Sequence, residues 1–301
     1  MTTYPKPFLS PTDLVAKLKL KGMVVTSASD AEMAIRKIGY YRLKGYFFFM
    51  TDSSTGNYLP NTSFDEALKR YEFDAKLSRV IFDYLLEIEV SIRARLVEAF
   101  QSTGEPLALN DPLFFKDKKN YWDNTATIAS EIKRSSDDFV KHNFNIYNGL
   151  IPVWAAVEVL SYGTLSKTIK NLKPHANSPF SLLVRNYSYT NSSGKVITPS
   201  QDMFSSWVYA TTVLRNTCAH GGRLYRRLFS IMPQIIKNDA FTPCLPRVSS
   251  LYEAILAMKY LRPDVTSWNS FSANLKGLIS TYQHCINLND MNFPSDWQNH
   301  I

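Results

Sequence analysis

An all-α architecture follows from three features of this chain. Apolar residues recur every three or four positions through most of its length, no convincing alternating apolar–polar run marks a strand, and capping residues stand just ahead of the periodic segments. Ser10 can cap a first helix, with Pro11 where a missing N–H costs nothing and Asp13 at the positive end of the dipole; the helix should run to about Lys21 and stop at Gly22. A second helix is expected from Ser29-Asp30, leading into the aromatic run Ile38-Gly39-Tyr40-Tyr41-Arg42-Leu43-Lys44-Gly45-Tyr46-Phe47-Phe48-Phe49. Residues 51–62, rich in Ser, Thr, Asn and Gly, read as a loop.

The strongest helical signal follows. Ser63 with Glu66 three residues on makes a capping box, and Leu77, Ile81, Tyr84, Ile88, Ile92 and Leu96 recur at helical spacing. No Gly or Pro interrupts Ser63 through Ser102, which allows one helix of roughly 55–60 Å at 1.5 Å per residue. Residues 104–150 are more polar, with a helix predicted over Ala126–Val140. Another is expected from Trp154 to about Leu172, with Gly163 a weak point, and Pro174–Ser200 reads as an irregular insert. Gln201–Ala219 is helical in pattern; Pro233, Pro243 and Pro246 mark a turn-rich connection, and Ser249–Leu261 and Ser267–Leu288 supply the last two helices. The organisation expected is one domain over 1–301: an N-terminal helical and aromatic segment (1–60), a bundle core (63–240) and C-terminal helices (247–301).

Composition narrows the function classes. The 45% apolar and 20% charged content suits a packed core. A net charge of +8 favours polyanionic partners. Cys218, Cys244 and Cys285 show no metal-ligand spacing, and an odd number argues against a disulfide framework. His142, His175, His284 and His300 are isolated from one another and from the cysteines, so no metal site is expected. No G-x-x-x-x-G-K loop is present, so neither ATP nor another cofactor is indicated. With no apolar signal core in Met1–Pro7 and no window of 18 uncharged apolar residues, the expectation is a cytoplasmic protein that does not enter a membrane.

Arg215-Asn216-Thr217-Cys218-Ala219-His220, followed by Gly221-Gly222-Arg223, carries the candidate chemistry. On a continuous helix Asn216, His220, Arg223 and Arg227 would form one stripe, with Arg215 about 100° around from it. Guanidinium grips phosphate oxygens, and imidazole exchanges protons near neutrality. RNA carries its own nucleophile, the 2′-hydroxyl, so a base, a cation and an acid suffice to give a 2′,3′-cyclic phosphate and a 5′-hydroxyl. The spacing alone is weak: with 14 Arg and 5 His, about 0.7 pairs of the R-x4-6-H pattern arise by chance, and requiring Asn after the Arg with four intervening residues lowers this to roughly one or two in a hundred. A structural role stands beside the chemical one, with Arg215 paired to a carboxylate and His220 at a helix end marked by the two glycines. Arg93 and Arg95, with Arg79 and Lys76, could line an RNA groove or form a solvated helix face. The aromatic run could stack bases or be buried. Glu87 and Glu89, two apart on a helix, do not pair as a two-carboxylate site.

Several segments together resemble one family. Ile38–Tyr46, Tyr71–Leu77, Ile88–Arg95, Pro152-Val153-Trp154 with Glu158–Ser166, Leu214–Tyr225, and Asn292–Trp297 occur in the order of the Abi-like (AbiD/AbiF-type) abortive-infection proteins of the HEPN superfamily. The resemblance implies an antiparallel HEPN-like helical bundle with additional peripheral helices. It also implies a ribonuclease motif in which Arg215, Asn216 and His220 act at the two-fold interface of a homodimer, with Glu158 and Arg223 in support. Arg226 and Arg227 join Arg93 and Arg95 as expected RNA contacts. Gly221-Gly222 replaces a bulkier pair, and Arg226 stands where the family commonly has Asn. The competing expectations are a non-catalytic module that binds RNA, including a regulatory small RNA, and a helical protein that meets a phage protein through its aromatic surface.

Overall fold

The computed structural model describes residues 7–244 and 250–301. Met1–Lys6, Pro246 and Ser249, which enter the expectations above, lie outside these. Twelve α-helices, six short 3-10 helices and one hairpin of two-residue strands make up the regular structure of the described residues, an all-α fold as expected. The first two helices are α1 (Pro11–Leu20) and α2 (Ala28–Ile38). Ser10 and Asp13 cap α1 reciprocally, whereas α2 begins one residue ahead of the predicted Ser29, because Ser27 accepts from Asp30 N. The aromatic run forms a short α3 (Tyr40–Lys44) and a 3-10 turn at Phe48–Met50.

The long helix α4 (Phe64–Gln101) is one unbroken element of 38 residues. Ser63 accepts from the Asp65 and Glu66 backbone amides. The Glu66 carboxylate turns to Arg70 at 3.0 Å instead of back to the cap. Leu77, Ile81, Leu85, Ile88, Ile92 and Leu96 are each at most 1% exposed. At roughly 1.5–3 kcal/mol per fully buried side chain, this stripe makes α4 the backbone of the core. Packed on or beyond it follow α5 (Lys118–Arg134), α6 (Asp138–Ile146), α7 (Val153–Val159), α8 (Tyr162–Asn171), α9 (Pro179–Arg185), α10 (Gln201–Ala219), α11 (Leu251–Tyr260) and α12 (Val265–Tyr282). α10 packs on α4, α8 and α11, while α4 also receives α7, α9 and α12.

Four boundary expectations fail. The single helix expected over 126–140 is two, because Asp117 caps α5 early and Ser135 and Asp137 take extended backbone between α5 and α6. The helix expected over 154–172 breaks at Leu160 and not at Gly163: Ser161 caps α8, accepting from Thr164 N, and its own N–H donates to Glu131 Oε2 at 2.9 Å. The insert at 174–200 contains α9, capped by Ser178 with Pro179 at its first position, and the hairpin β1 (Tyr189–Thr190) with β2 (Val196–Ile197). α12 ends at Tyr282, six residues short of the predicted Leu288. No helix among the described residues is long and apolar enough to cross a membrane.

Candidate functional site

α10 is anchored before it presents anything. Ser200 caps it, Phe204, Trp207, Val208 and Leu214 are fully buried, and Trp207 Nε1 donates to the Gln234 carbonyl at 2.7 Å. Its last turn carries Arg215, Asn216 and, as the C-cap residue, His220. Gly221 N donates to Cys218 O at 3.0 Å and Gly222 N to Thr217 O at 2.7 Å, the paired bonds of a glycine-terminated helix. Gly221 has φ 60, and a Cβ on Gly222 would lie 2.8 Å from Thr217 Cγ2, so small residues are required here. The glycine pair therefore builds the end of the helix.

That termination overturns the stripe expected from 216 to 227. Arg223 and Arg227 are not on a helix with His220. The chain turns away, and the buried Asp74 of α4 holds the turn: Leu224 N donates to it at 3.1 Å and Tyr225 N at 2.6 Å, while Tyr46 Oη donates to its other oxygen at 2.7 Å. Burial pushes the Asp74 carboxyl up, while these hydrogen bonds and the nearby Arg223 pull it back. Arg223 donates to Gly45 O and lies over the Phe48 ring, 5.6 Å from its centroid. Arg226 takes φ 56, a conformation that suits Asn or Gly better than Arg, and is bound by Asp290 at 2.8 Å and the Phe49 ring at 4.0 Å. Arg227 is exposed, over Phe229.

Around His220 the setting is open and cationic. The imidazole is exposed and has no hydrogen bond or ion pair to Arg215, Asn216 or Glu158 among the described residues. Arg42 of α3 reaches across 179 residues to donate to Gly221 O at 2.6 Å, and Arg227 Nη1 would lie 3.3 Å from a Cβ on Gly222. Both guanidiniums thus stand at the negative end of the α10 dipole. Cys218, inside the motif, is a packing group: burial pushes its thiol up to about 11, which disfavours the thiolate a nucleophile needs.

Arg215 sits in a different environment. Its side chain is 29% exposed, with Nε 3.3 Å from Glu89 Oε2 and Nη1 3.3 Å from Asn216 Oδ1. Neither Nε nor Oε2 completes an aligned hydrogen bond, so the contact is mainly Coulombic. Glu89 also bonds Arg93. The carboxylate beside Arg215 is therefore Glu89, whereas Glu158, expected in support, is exposed on α7 and bonds neither motif residue among the described residues. The sequence signal for this carboxylate is the i, i+4 spacing of Glu89 and Arg93 on α4.

The two α4 arginines expected to contact RNA have partners within the chain. Arg93 is 8% exposed and spends its donors on Glu89 and on the Val157 and Leu160 carbonyls freed at the α7–α8 break. Arg95 lies 4.8 Å from the Tyr187 ring centroid and donates to Pro263 O at 2.6 Å. Burial holds Arg93 inside the chain, while half-buried Arg95 is engaged by its ring and carbonyl partners. No cluster of three or more His, Cys, Asp or Glu side chains with metal-holding geometry exists among the described residues. A groove of about 520 Å³ lined by Ala94, Val97, Phe100 and Trp154 includes none of the motif residues.

A model of the Abi-like protein family matches residues 33–226, which runs from the second half of α2 through α10 and takes in the whole of the Arg215–Arg226 segment. No curated protein and no solved structure matches the chain.

Proposed function

The chain belongs to the Abi-like protein family, and from that premise we propose that it serves abortive-infection defence against phage as a metal-independent endoribonuclease of HEPN type. His220 is the general base and acid, Arg215 the clamp on the phosphate, and Asn216 an orienting amide. Glu89, not foreseen as a participant, positions the Arg215 guanidinium. One observation carries this reading: His220 is an exposed imidazole at a helix end, beside Arg42 and Arg227, with no carboxylate bonded to it among the described residues.

The chemistry balances without a cofactor. His220 removes the 2′-hydroxyl proton, the 2′-oxygen bonds to phosphorus, and the P–O5′ bond breaks. A protonated imidazole returns a proton to the departing 5′-oxygen, leaving a 2′,3′-cyclic phosphate and a 5′-hydroxyl. Arg215 stabilises the charge that grows on the phosphoryl oxygens. Five residues apart, Arg215 and His220 project about 140° from one another around the helix. A homodimer that apposes two α10 ends would let Arg215 of one copy and His220 of the other meet one phosphate.

A second reading draws on the same residues. Arg215 is already engaged by Glu89 and Asn216, so a monomer offers a cationic rim without converged catalytic groups. It would then grip RNA, including a regulatory small RNA, without cutting it. Sequencing RNA 5′-hydroxyl ends after induction separates the two. New ends from the wild type that vanish with His220→Ala support the nuclease; salt-dependent RNA binding with no new ends supports the binder.

A further inference from the structure

α3 and the turn after it form a second feature of the His220 end that the cleavage chemistry does not use. Tyr40 and Leu43 face inward, whereas Tyr41 is 87% exposed and Arg42 and Lys44 are exposed beside it. A ring so open to water contributes little to packing. Tyr46 and Phe47 are buried, but Phe48 returns to the surface at 48% exposure, with the Arg223 guanidinium 5.6 Å from its ring centroid. Arg223 is itself fixed by the Gly45 carbonyl, and Arg42 by the Gly221 carbonyl next to His220. Residues 41–48 therefore carry two exposed rings, the Arg42 guanidinium joined directly to the end of α10, and a docked guanidinium from Arg223.

We propose that this edge is a base-stacking subsite, in which Tyr41 and Phe48 take unpaired bases of an RNA strand while Arg42 and Arg223 hold its phosphates beside His220. The inference rests on the RNA-directed reading of that site and adds the part of the substrate it engages. Three physical points support it. An aromatic face binds any unpaired base, and the same face in a duplex partner has nothing to stack on. Arg42 spends one Nη on Gly221 O, and none of its remaining donors meets a carboxylate among the described residues, so they are free for phosphate oxygens. The Arg223–Phe48 pair presents a cation and a ring as one surface, an arrangement suited to a base and its phosphate together.

The test is binding, measured apart from cleavage. In the full-length His220→Ala protein, affinity for a labelled 12-nucleotide single strand is compared with affinity for the same strand annealed to its complement. Tyr41→Ala, Phe48→Ala and Tyr41→Phe are then added, with thermal melts to confirm that each folds. Stacking predicts that the single strand binds more tightly than the duplex. It also predicts that Tyr41→Ala weakens the single strand by about 5- to 100-fold, that Tyr41→Phe restores it, and that duplex binding does not change. Because Tyr41 is so exposed, its variants separate stacking from folding even if Phe48→Ala melts early. Unchanged single-strand affinity in folded Tyr41→Ala, or a duplex bound as well as the single strand, overturns the subsite and leaves the nuclease reading standing if the wild type still cuts. Absence of any RNA binding by the parent overturns both.

Discussion

Two arginines solve the same local problem in opposite surroundings. Arg93 donates to carbonyls freed where α7 ends, and Arg42 donates to the Gly221 carbonyl where α10 ends. Arg93 is buried and has Glu89 as its counter-charge; Arg42 is exposed, with no ion pair among the described residues. The first arrangement fixes a helix break and, through Glu89, the aim of Arg215. The second leaves a guanidinium with donors to spare beside an imidazole. Position relative to a carboxylate, more than charge itself, separates the structural cation from the one open to a ligand.

The comparison breaks most visibly at Arg93. Arg93→Met should cost about 3–5 kcal/mol of stability, because it leaves two carbonyls without a donor and the buried Glu89 with only its unaligned Arg215 contact; urea unfolding measures it, and a loss below 1 kcal/mol would mean the network is dispensable. Gly222→Ala should cost about 1–3 kcal/mol by forcing a methyl onto Thr217, and Thr217→Ser in the same chain should recover part of it by removing the methyl that is struck. Glu89→Gln sharpens the contrast by keeping the shape while removing the charge between two guanidiniums. It should lower kcat for RNA cleavage more than it raises KM, since Arg215 loses its aim and not its place. Arg42→Ala should be mildest for the fold, with Tm shifting by about 2 °C or less, while the slope of RNA affinity against salt falls by about one unit.

Much of this was legible in the chain. Capping and periodicity located α1, α4 and α10 closely, since Ser10, Ser63 and the glycines after His220 act through their immediate neighbours. The break between α7 and α8 depended on distant partners. The α7–α8 break is stabilised by Glu131 and Arg93, 30 and 67 residues from its residues Ser161 and Leu160. In the site, the motif residues and the helix end could be read locally. The Glu89 contact, the Asp74 clasp and the Arg42 bridge could not, because each joins elements separated by more than 100 residues. The extrapolated stripe to Arg227 erred by extending a helix through two glycines that end it.

The central claim is that His220 moves protons for RNA cleavage, and purified protein tests it most directly. Wild type and His220→Ala, matched for Tm, are incubated with RNA in excess EDTA and the cleaved 5′-hydroxyl ends are counted. The account predicts cleavage by the wild type despite the chelator and a loss of about 10²- to 10⁴-fold in the variant. Equal cleavage by the two proteins, or cleavage that stops when divalent ions are removed, would contradict it.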